Sequence, residues 1–151
     1  MKALRHLLTP LLPLLVCGCS VARTEYSLDH ASATVANVRI TGVTVTRDET
    51  RVAFVYEAPP GQTRRIGIHP PGHTGAFIIQ SADRTQTYGL VGADGISILP
   101  ERTTVPGGER LEFALTFDPI PKGLRTIHVG EGEYTPETGE SSWHFLDLAL
   151  K

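Results

Sequence analysis

The sequence predicts an all-β domain: a two-sheet antiparallel sandwich, immunoglobulin-like in a loose sense, with eight or nine strands and little helix. Nowhere do a dozen consecutive residues keep apolar side chains at the three- and four-residue spacing of an amphipathic helix. Short apolar segments instead alternate with polar residues, and 15 Gly and 11 Pro interrupt them. Short strands with frequent turns are typical of a sandwich and, less often, of a small barrel.

The first two predicted strands form a hairpin. Alternating apolar residues over 35–45 indicate one long strand, and a change of face near Gly42 indicates a β-bulge within it. The polar run 47–50 then turns the chain into a second strand over 52–56, where apolar residues again alternate.

The clearest strand lies in the second half of the chain. Further strands are expected over 66–68, 76–80, 87–91, 96–99, 111–117, 124–129 and 142–150. In one of them, Leu111, Phe113, Leu115 and Phe117 alternate with polar or small residues, so these four are expected to share a buried face. Replacing Phe113 with Asp is therefore expected to unfold the domain, because it places an unpaired charge in the core.

The amino terminus predicts an export signal. Two basic residues precede the apolar run 7–16, which is half the length of the roughly 20 residues that a membrane-spanning helix needs. Pro10 and Pro13 interrupt this run, and each would break a helix that had to persist in lipid. A cleaved signal peptide over residues 1–18 explains these features better than a membrane anchor does.

The run Val16-Cys17-Gly18-Cys19 resembles the lipobox of bacterial lipoproteins, in which an aliphatic, a variable and a small residue precede a lipid-bearing cysteine. The resemblance implies that the chain is cut before Cys19 and that Cys19 carries acyl chains such as palmitate. More than one chain is needed, since a single acyl group binds a membrane only reversibly. Ser20 resembles the outer-membrane sorting preference of enteric lipoproteins. We therefore expect a lipid-anchored protein of the bacterial cell envelope, at the outer membrane; the alternative is a free periplasmic protein.

The remaining chain divides into a lipidated tether over 19–32 and one β-sandwich domain over 33–151. Removing residues 1–18 leaves 12 Lys and Arg against 16 Asp and Glu, a net charge of −4 with His neutral. Once Cys19 is acylated, the domain has no thiol for a disulfide, a thiolate–metal site or redox chemistry. Arg64-Arg65 is the only basic doublet of the domain, so no basic surface for nucleic acid is expected. We interpret this doublet as a solvated pair on a strand edge.

The second half of the chain also resembles a β-sandwich domain of Bacteroidetes lipoproteins and secreted proteins, a domain whose function is not established. The matching stretches are 87–96, 105–109, 113–121, 127–132 and 143–148. The resemblance implies the fold and an envelope location. In some proteins of this kind the domain precedes a thioredoxin-like domain with a Cys-x-x-Cys pair. This sequence contains no such pair, so the resemblance implies no redox activity.

Histidines and carboxylates provide the candidate sites. His69 and His73 are a possible metal pair, although an exposed turn is the favoured interpretation because Pro70-Pro71 separates them and no further ligand is visible. His128 and His144 lie on adjacent predicted strands, where ordinary strand histidines are expected. The acidic loop 131–140 holds four carboxylates but lacks the alternating register of a calcium loop, which favours a solvated loop.

The sequence contains no recognisable catalytic motif that would be a stronger candidate than these residues. The sequence has no Gly-x-Ser-x-Gly elbow, and Gly92-Ala93-Asp94-Gly95 precedes a predicted strand rather than a phosphate-binding helix. We therefore expect no cofactor and a non-catalytic binding or scaffolding module for an envelope protein, peptide or glycan. The alternative is a metal-dependent or hydrolytic enzyme that uses His69 and His73 or the acidic loop 131–140.

Overall fold

A computed structural model of the chain describes residues 21–136 and 142–151. The described residues form ten strands and no helix, which confirms the all-β prediction. The strands are Thr24–Ala31 (β1), Val38–Val45 (β2), Thr50–Glu57 (β3), Arg64–Ile66 (β4), Phe77–Ser81 (β5), Thr87–Asp94 (β6), Thr103–Val105 (β7), Arg110–Phe117 (β8), Thr126–Glu131 (β9) and His144–Ala149 (β10). No membrane-spanning helix occurs among these residues. The predicted signal and Cys19 lie outside the described residues.

Eight of the ten strands form one antiparallel sheet, in the order β1-β2-β3-β8-β6-β5-β9-β10. The sheet curls until its two ends meet, so that the fold is nearly a barrel. At the meeting line, the Ala33 amide donates to the His144 carbonyl at 2.7 Å and His30 Nε2 donates to the Leu146 carbonyl at 2.9 Å. Two separate facing sheets are not clearly distinguished, because β6 pairs with β8 on one side and with β5 on the other.

Polar side chains close the seam between β1 and β10. Ser32 Oγ donates to the His144 carbonyl at 3.0 Å. Thr34 Oγ1 donates to the Ser142 carbonyl at 2.6 Å and accepts the His144 amide at 3.0 Å. These bonds satisfy backbone groups that a full strand ladder would otherwise pair. The described seam bonds are therefore mostly made by side chains, and they reach from the start of β10 to Leu146 in its middle.

The first strand occupies most of the segment predicted as a tether. β1 pairs with β2 from Thr24 to Ala31, with a register shift between Ser27 and His30. Its Tyr26 and Leu28 pack, partly buried, against the core. The prediction of a tether over 19–32 was therefore wrong from Thr24 onward. Its two large apolar residues are too few to distinguish a half-exposed strand from free chain by pattern alone.

The other strand predictions are confirmed in part. The bulge expected near Gly42 lies between Ile40 and Gly42, where the register against β3 shifts. The strand expected over 96–99 is instead a single bridge between Ile68 and Ile98. A short two-stranded sheet of β4 and β7 accompanies it.

The core contains a cluster of aromatic rings around Phe54. The Phe54 ring stacks on Phe113 with 4.9 Å between ring centroids, and it meets Phe145 and Phe77 edge-on at 5.6 and 5.8 Å. Phe54 and Phe113 are direct partners across β3 and β8. The predicted buried face of 111–117 is confirmed, with Leu111 only partly buried at its start.

The barrel has two distinct ends. The end that we call the lower end comprises the runs 21–23, 46–49, 82–86, 118–125 and 150–151, where β1 begins and β10 finishes. Ile120 closes this end: it is 4 % exposed, and its amide donates to the buried Thr50 Oγ1 at 3.0 Å. The opposite, upper end carries the long excursions that contain β4 and β7.

Candidate binding surface

A groove of about 580 Å³ crosses the outer face of the barrel over β2, β3, β8 and β6. Its floor includes the small residues Ala53 and Ala114, which lie opposite each other on β3 and β8, and Gly42 on β2 continues this row beside the groove. Longer polar side chains border this row of small residues. We call this surface the outer groove; its polar lining residues are Thr41, Arg51, Asp94, Arg110 and Glu112.

Two β-bulges lie beside the groove. The register of β2 against β3 shifts between Ile40 and Gly42, and that of β6 against β8 shifts between Leu90 and Gly92. Each bulge adds local twist to its strand and redirects the side chains that follow. The bulges thus help to curve the sheet at both sides of the groove.

Charges of both signs border the outer groove. Arg51 Nη1 lies 2.5 Å from Asp94 Oδ2, in a pair whose side chains are 42 % and 68 % exposed, so the pair contributes little to stability. Arg110 and Glu112 are exposed, and within the described part of the chain neither has an ion-pair partner. The groove therefore offers one guanidinium and one carboxylate that are free to bind a ligand.

Two neighbouring cavities extend the groove along the outer face. One, of about 460 Å³, shares Thr41, Arg51 and Ala53 with it and continues over β1. The other, of about 300 Å³, shares Val55 and Arg110 with it. Among the described residues, no histidine or cysteine lines the three cavities. The described lining residues place hydrogen-bond donors and acceptors along one extended surface, and no nucleophile paired with a base is found among them.

The structure brings His69 and His73 together as a stacked pair. Their rings lie 4.1 Å apart and within 4° of parallel. His73 Nδ1 accepts the Gly75 amide at 3.0 Å, so that nitrogen is already engaged. No three His, Cys, Asp or Glu side chains among the described residues are grouped to hold a metal. The pair alone supplies two ligands, fewer than the three or four of a typical zinc site.

His128 is held by hydrogen bonds on both ring nitrogens. Nδ1 accepts the Asp147 amide at 3.0 Å, and Nε2 faces the Ala82 carbonyl at 3.2 Å. This network assigns the neutral tautomer with its proton on Nε2. Asp147 has a φ of 54° and lies where the register of β10 shifts against β9. His128 therefore stabilises this irregularity in the last strand.

His144 is buried at the seam, 2 % exposed. It lies on the strand that pairs with that of His128, as the sequence predicted. Its Nε2 lies 3.1 Å from Ser142 Oγ, and its ring meets the Tyr134 ring at 5.1 Å. Burial, and secondarily the positive charge of Arg84, lower the pKa of His144. The neutral ring fits a structural role at the seam.

The acidic loop is described only in part, since residues 137–141 lie outside the described residues. Glu131 is partly buried, and its Oε2 accepts the Trp143 amide at 2.9 Å. Burial raises the pKa of Glu131, although the bond from Trp143 opposes this effect. Glu131 thus connects the start of the loop to its far side.

The basic doublet lies on the upper end. Arg64 and Arg65 are exposed on β4, which pairs only with β7 in the described structure. Arg64 Nη2 donates to Gln62 Oε1 at 2.6 Å. This position agrees with a solvated pair on a short edge strand.

Sequence reasoning did not identify the outer groove. Arg51, Arg110 and Glu112 look like ordinary solvent-facing positions of alternating strands. The informative signal is the pair of small outward residues, Ala53 and Ala114, on strands that pair side by side. That pairing joins residues far apart in the sequence.

Comparison with known proteins identifies no family. No family model and no curated protein matches the chain. One similar solved structure is a crystal structure described as a functionally unknown protein from Listeria monocytogenes EGD-e. It has 9 % sequence identity and a TM-score of 0.47, and the match covers 87 % of this chain and 89 % of that one.

Proposed function

We propose that this protein is a lipid-anchored envelope protein whose barrel-like domain is a non-catalytic binding module, with the outer groove as its binding surface. The observation that carries this proposal is the groove itself, which continues into two further cavities and presents Arg110 and Glu112 without ion-pair partners among the described residues. The partner is a protein segment, a peptide or a glycan of the envelope with both hydrogen-bond donors and acceptors.

The lipid anchor places this module close to a membrane. Cys19 lies five positions before Thr24, where β1 begins. At ~3.6 Å per residue, a fully extended chain of this length spans about 18 Å. An acylated Cys19 would therefore hold the lower end of the barrel near the headgroups, because so short a segment allows little separation.

Replacing Cys19 with Ser is expected to abolish acylation and release the protein from the membrane. The measurement is incorporation of labelled palmitate into the full chain in bacterial cells, together with its distribution between membrane and soluble fractions. Cys17→Ser is the matched control, since it removes the neighbouring thiol and leaves the lipobox cysteine. Label retained in the Cys19→Ser variant would show that the anchor is elsewhere.

Cross-linking from the outer groove is expected to capture a discrete partner. A photoreactive residue is placed at Thr41 or Glu112, which are exposed in the groove, and at Thr104, which is exposed on β7, as control. The groove positions should give a defined adduct in cells. Arg110→Glu should reduce that adduct at least tenfold, since ~1.4 kcal/mol of lost binding free energy is a factor of ten.

Stability measurements keep this test specific. Arg110→Glu changes an exposed side chain, so its free energy of unfolding should stay within about 0.5 kcal/mol of the parent. A lost adduct then reports binding rather than unfolding. The same mixture of bulk envelope proteins from Thr41, Glu112 and Thr104 would refute the groove as a binding surface and leave a structural lipoprotein without a discrete ligand.

A further inference from the structure

Three exposed cationic residues, Lys122, Arg125 and Lys151, lie on adjoining backbone segments at the lower end of the barrel. A turn closed by the Leu124 amide on the Pro121 carbonyl at 3.1 Å carries Lys122. The Leu150 amide donates to the Arg125 carbonyl at 2.8 Å, which places Lys151 beside Arg125. We call these three residues the cationic cluster.

No described carboxylate pairs with the cationic cluster. The ion pairs of the described chain involve other cations, namely Arg23, Arg39, Arg47 and Arg51. The lower end also carries four carboxylates, Asp48, Glu49, Asp83 and Asp118, and none of them forms a described ion pair with the cluster. Asp83 Oδ1 accepts bonds from Ser81 and Thr85, and Asp118 Oδ2 accepts the Gly89 amide at 3.1 Å. Such hydrogen bonds do not cancel a carboxylate's charge, but cations outnumber carboxylates six to four in the lower-end runs, so this end carries a net positive charge. The six cations are Arg23, Arg47, Arg84, Lys122, Arg125 and Lys151.

The position of the cluster identifies that anion. The cluster lies at the end where β1 begins, and Cys19 precedes that strand by only a few residues. An acylated cysteine holds this end against the bilayer, within reach of lipid headgroups. Screening in physiological salt acts over about 8 Å, so cations on this end would feel the surface potential of anionic lipids.

We propose that the lower end of the barrel binds anionic phospholipid headgroups through Lys122, Arg125 and Lys151, and so fixes the orientation of the domain on the membrane. The inference rests on the lipid anchor of the proposed function and adds a second contact to it. The ammonium and guanidinium groups donate hydrogen bonds to headgroup phosphates. The lower end then faces the bilayer, and the upper end with β4 and β7 points away from it.

The test uses the lipidated full chain, reconstituted into vesicles. A dye on Gly123→Cys reports the lower end, where a side chain at Gly123 meets no atom within 4 Å, and a dye on Thr104→Cys reports the upper end. Energy transfer to a headgroup-labelled lipid measures each distance. Vesicles of phosphatidylcholine are compared with vesicles that also contain phosphatidylglycerol. We expect stronger energy transfer from the dye on Gly123→Cys than from the dye on Thr104→Cys. We expect phosphatidylglycerol to increase this difference.

Two double variants remove equal charge from opposite ends of the barrel. Lys122→Ala with Arg125→Ala should shift the orientation of the domain in phosphatidylglycerol vesicles. The ratio of molecules whose lower end faces the bilayer to molecules whose upper end faces it should fall roughly 30-fold, because each cation near an anionic surface contributes about 1 kcal/mol. Arg64→Ala with Arg65→Ala should not lower that ratio, because these cations can only favour the opposite orientation.

Absence of the lipid anchor and absence of the headgroup contact give different results in this experiment. A chain that does not float with vesicles of either composition lacks the lipid anchor, which contradicts the proposed function. A chain that floats with vesicles has a lipid anchor. It lacks the headgroup contact if energy transfer is equal at both ends, or if transfer responds neither to phosphatidylglycerol nor to the Lys122 and Arg125 substitutions. That second result overturns the present inference alone.

Discussion

Phe113→Asp is expected to abolish folding of the domain. Phe113 is 5 % exposed, stacks on Phe54 at 4.9 Å and lies 6.2 Å from the Trp143 ring. An ionised carboxylate has no partner in this aromatic cluster, and burying an unpaired charge costs more than the roughly 5–15 kcal/mol by which a whole domain is stable. Loss of near-ultraviolet circular dichroism and of a cooperative thermal transition would show the effect.

The neighbouring residue supplies a matched control for this result. Glu112 is exposed on the opposite face of the same strand, and Glu112→Ala should keep the free energy of unfolding within about 0.5 kcal/mol of the parent. A Phe113→Asp variant that melts with the parent would mean that β8 has the wrong face toward the core. The contrast between the two adjacent positions tests the strand register directly.

Local patterns account for the parts of the fold that were predicted correctly. The alternation in 111–117 identifies a strand and its buried face, because side chains of a strand point to opposite sides in turn. The bulge near Gly42 is visible for a similar reason, as the apolar period changes face there. Such features depend on residues adjacent in the chain, so a single sequence contains them.

The closure of the sheet depends on distant residues. Ser32 and Thr34 bond to Ser142 and His144, more than 100 residues later in the chain. Nothing in the local sequence of Ser32 or Thr34 distinguishes a seam contact from a polar loop. The choice between two sheets and one curled sheet is set by such contacts, which explains why the sequence favoured a sandwich.

The histidines illustrate the same limit at the candidate sites. Spacing alone singles out His69 and His73, and the structure does bring them together, but as stacked rings with one nitrogen occupied by Gly75. His128 bonds to Asp147 and Ala82, partners that no motif reveals. Residue type indicates what a side chain can do, whereas its partners decide what it does.

Gly130→Ala is expected to destabilise the domain by about 3 kcal/mol. A Cβ at Gly130 would lie 2.2 Å from His144 Nδ1 and 3.0 Å from its Cγ. Overpacking of this kind costs ~1–3 kcal/mol, and displaced hydrogen bonds at the seam add about 1 kcal/mol each. The measurement is denaturant unfolding. Gly92→Ala is the control, because a Cβ there meets no atom within 4 Å and the change should be neutral or slightly stabilising.

A double-mutant cycle separates the steric cause from a general intolerance of Gly130. In the His144→Ala background the ring that obstructs the new methyl group is gone, so Gly130→Ala should cost less than about 1 kcal/mol, giving a coupling near 2 kcal/mol. An equal cost in both backgrounds would place the strain in the β9 backbone instead. Because the His144 ring is buried and contacts Ser142 Oγ and the Tyr134 ring, it cannot simply turn aside. Gly130 on β9 thus leaves the room that the buried His144 ring needs at the seam of the barrel.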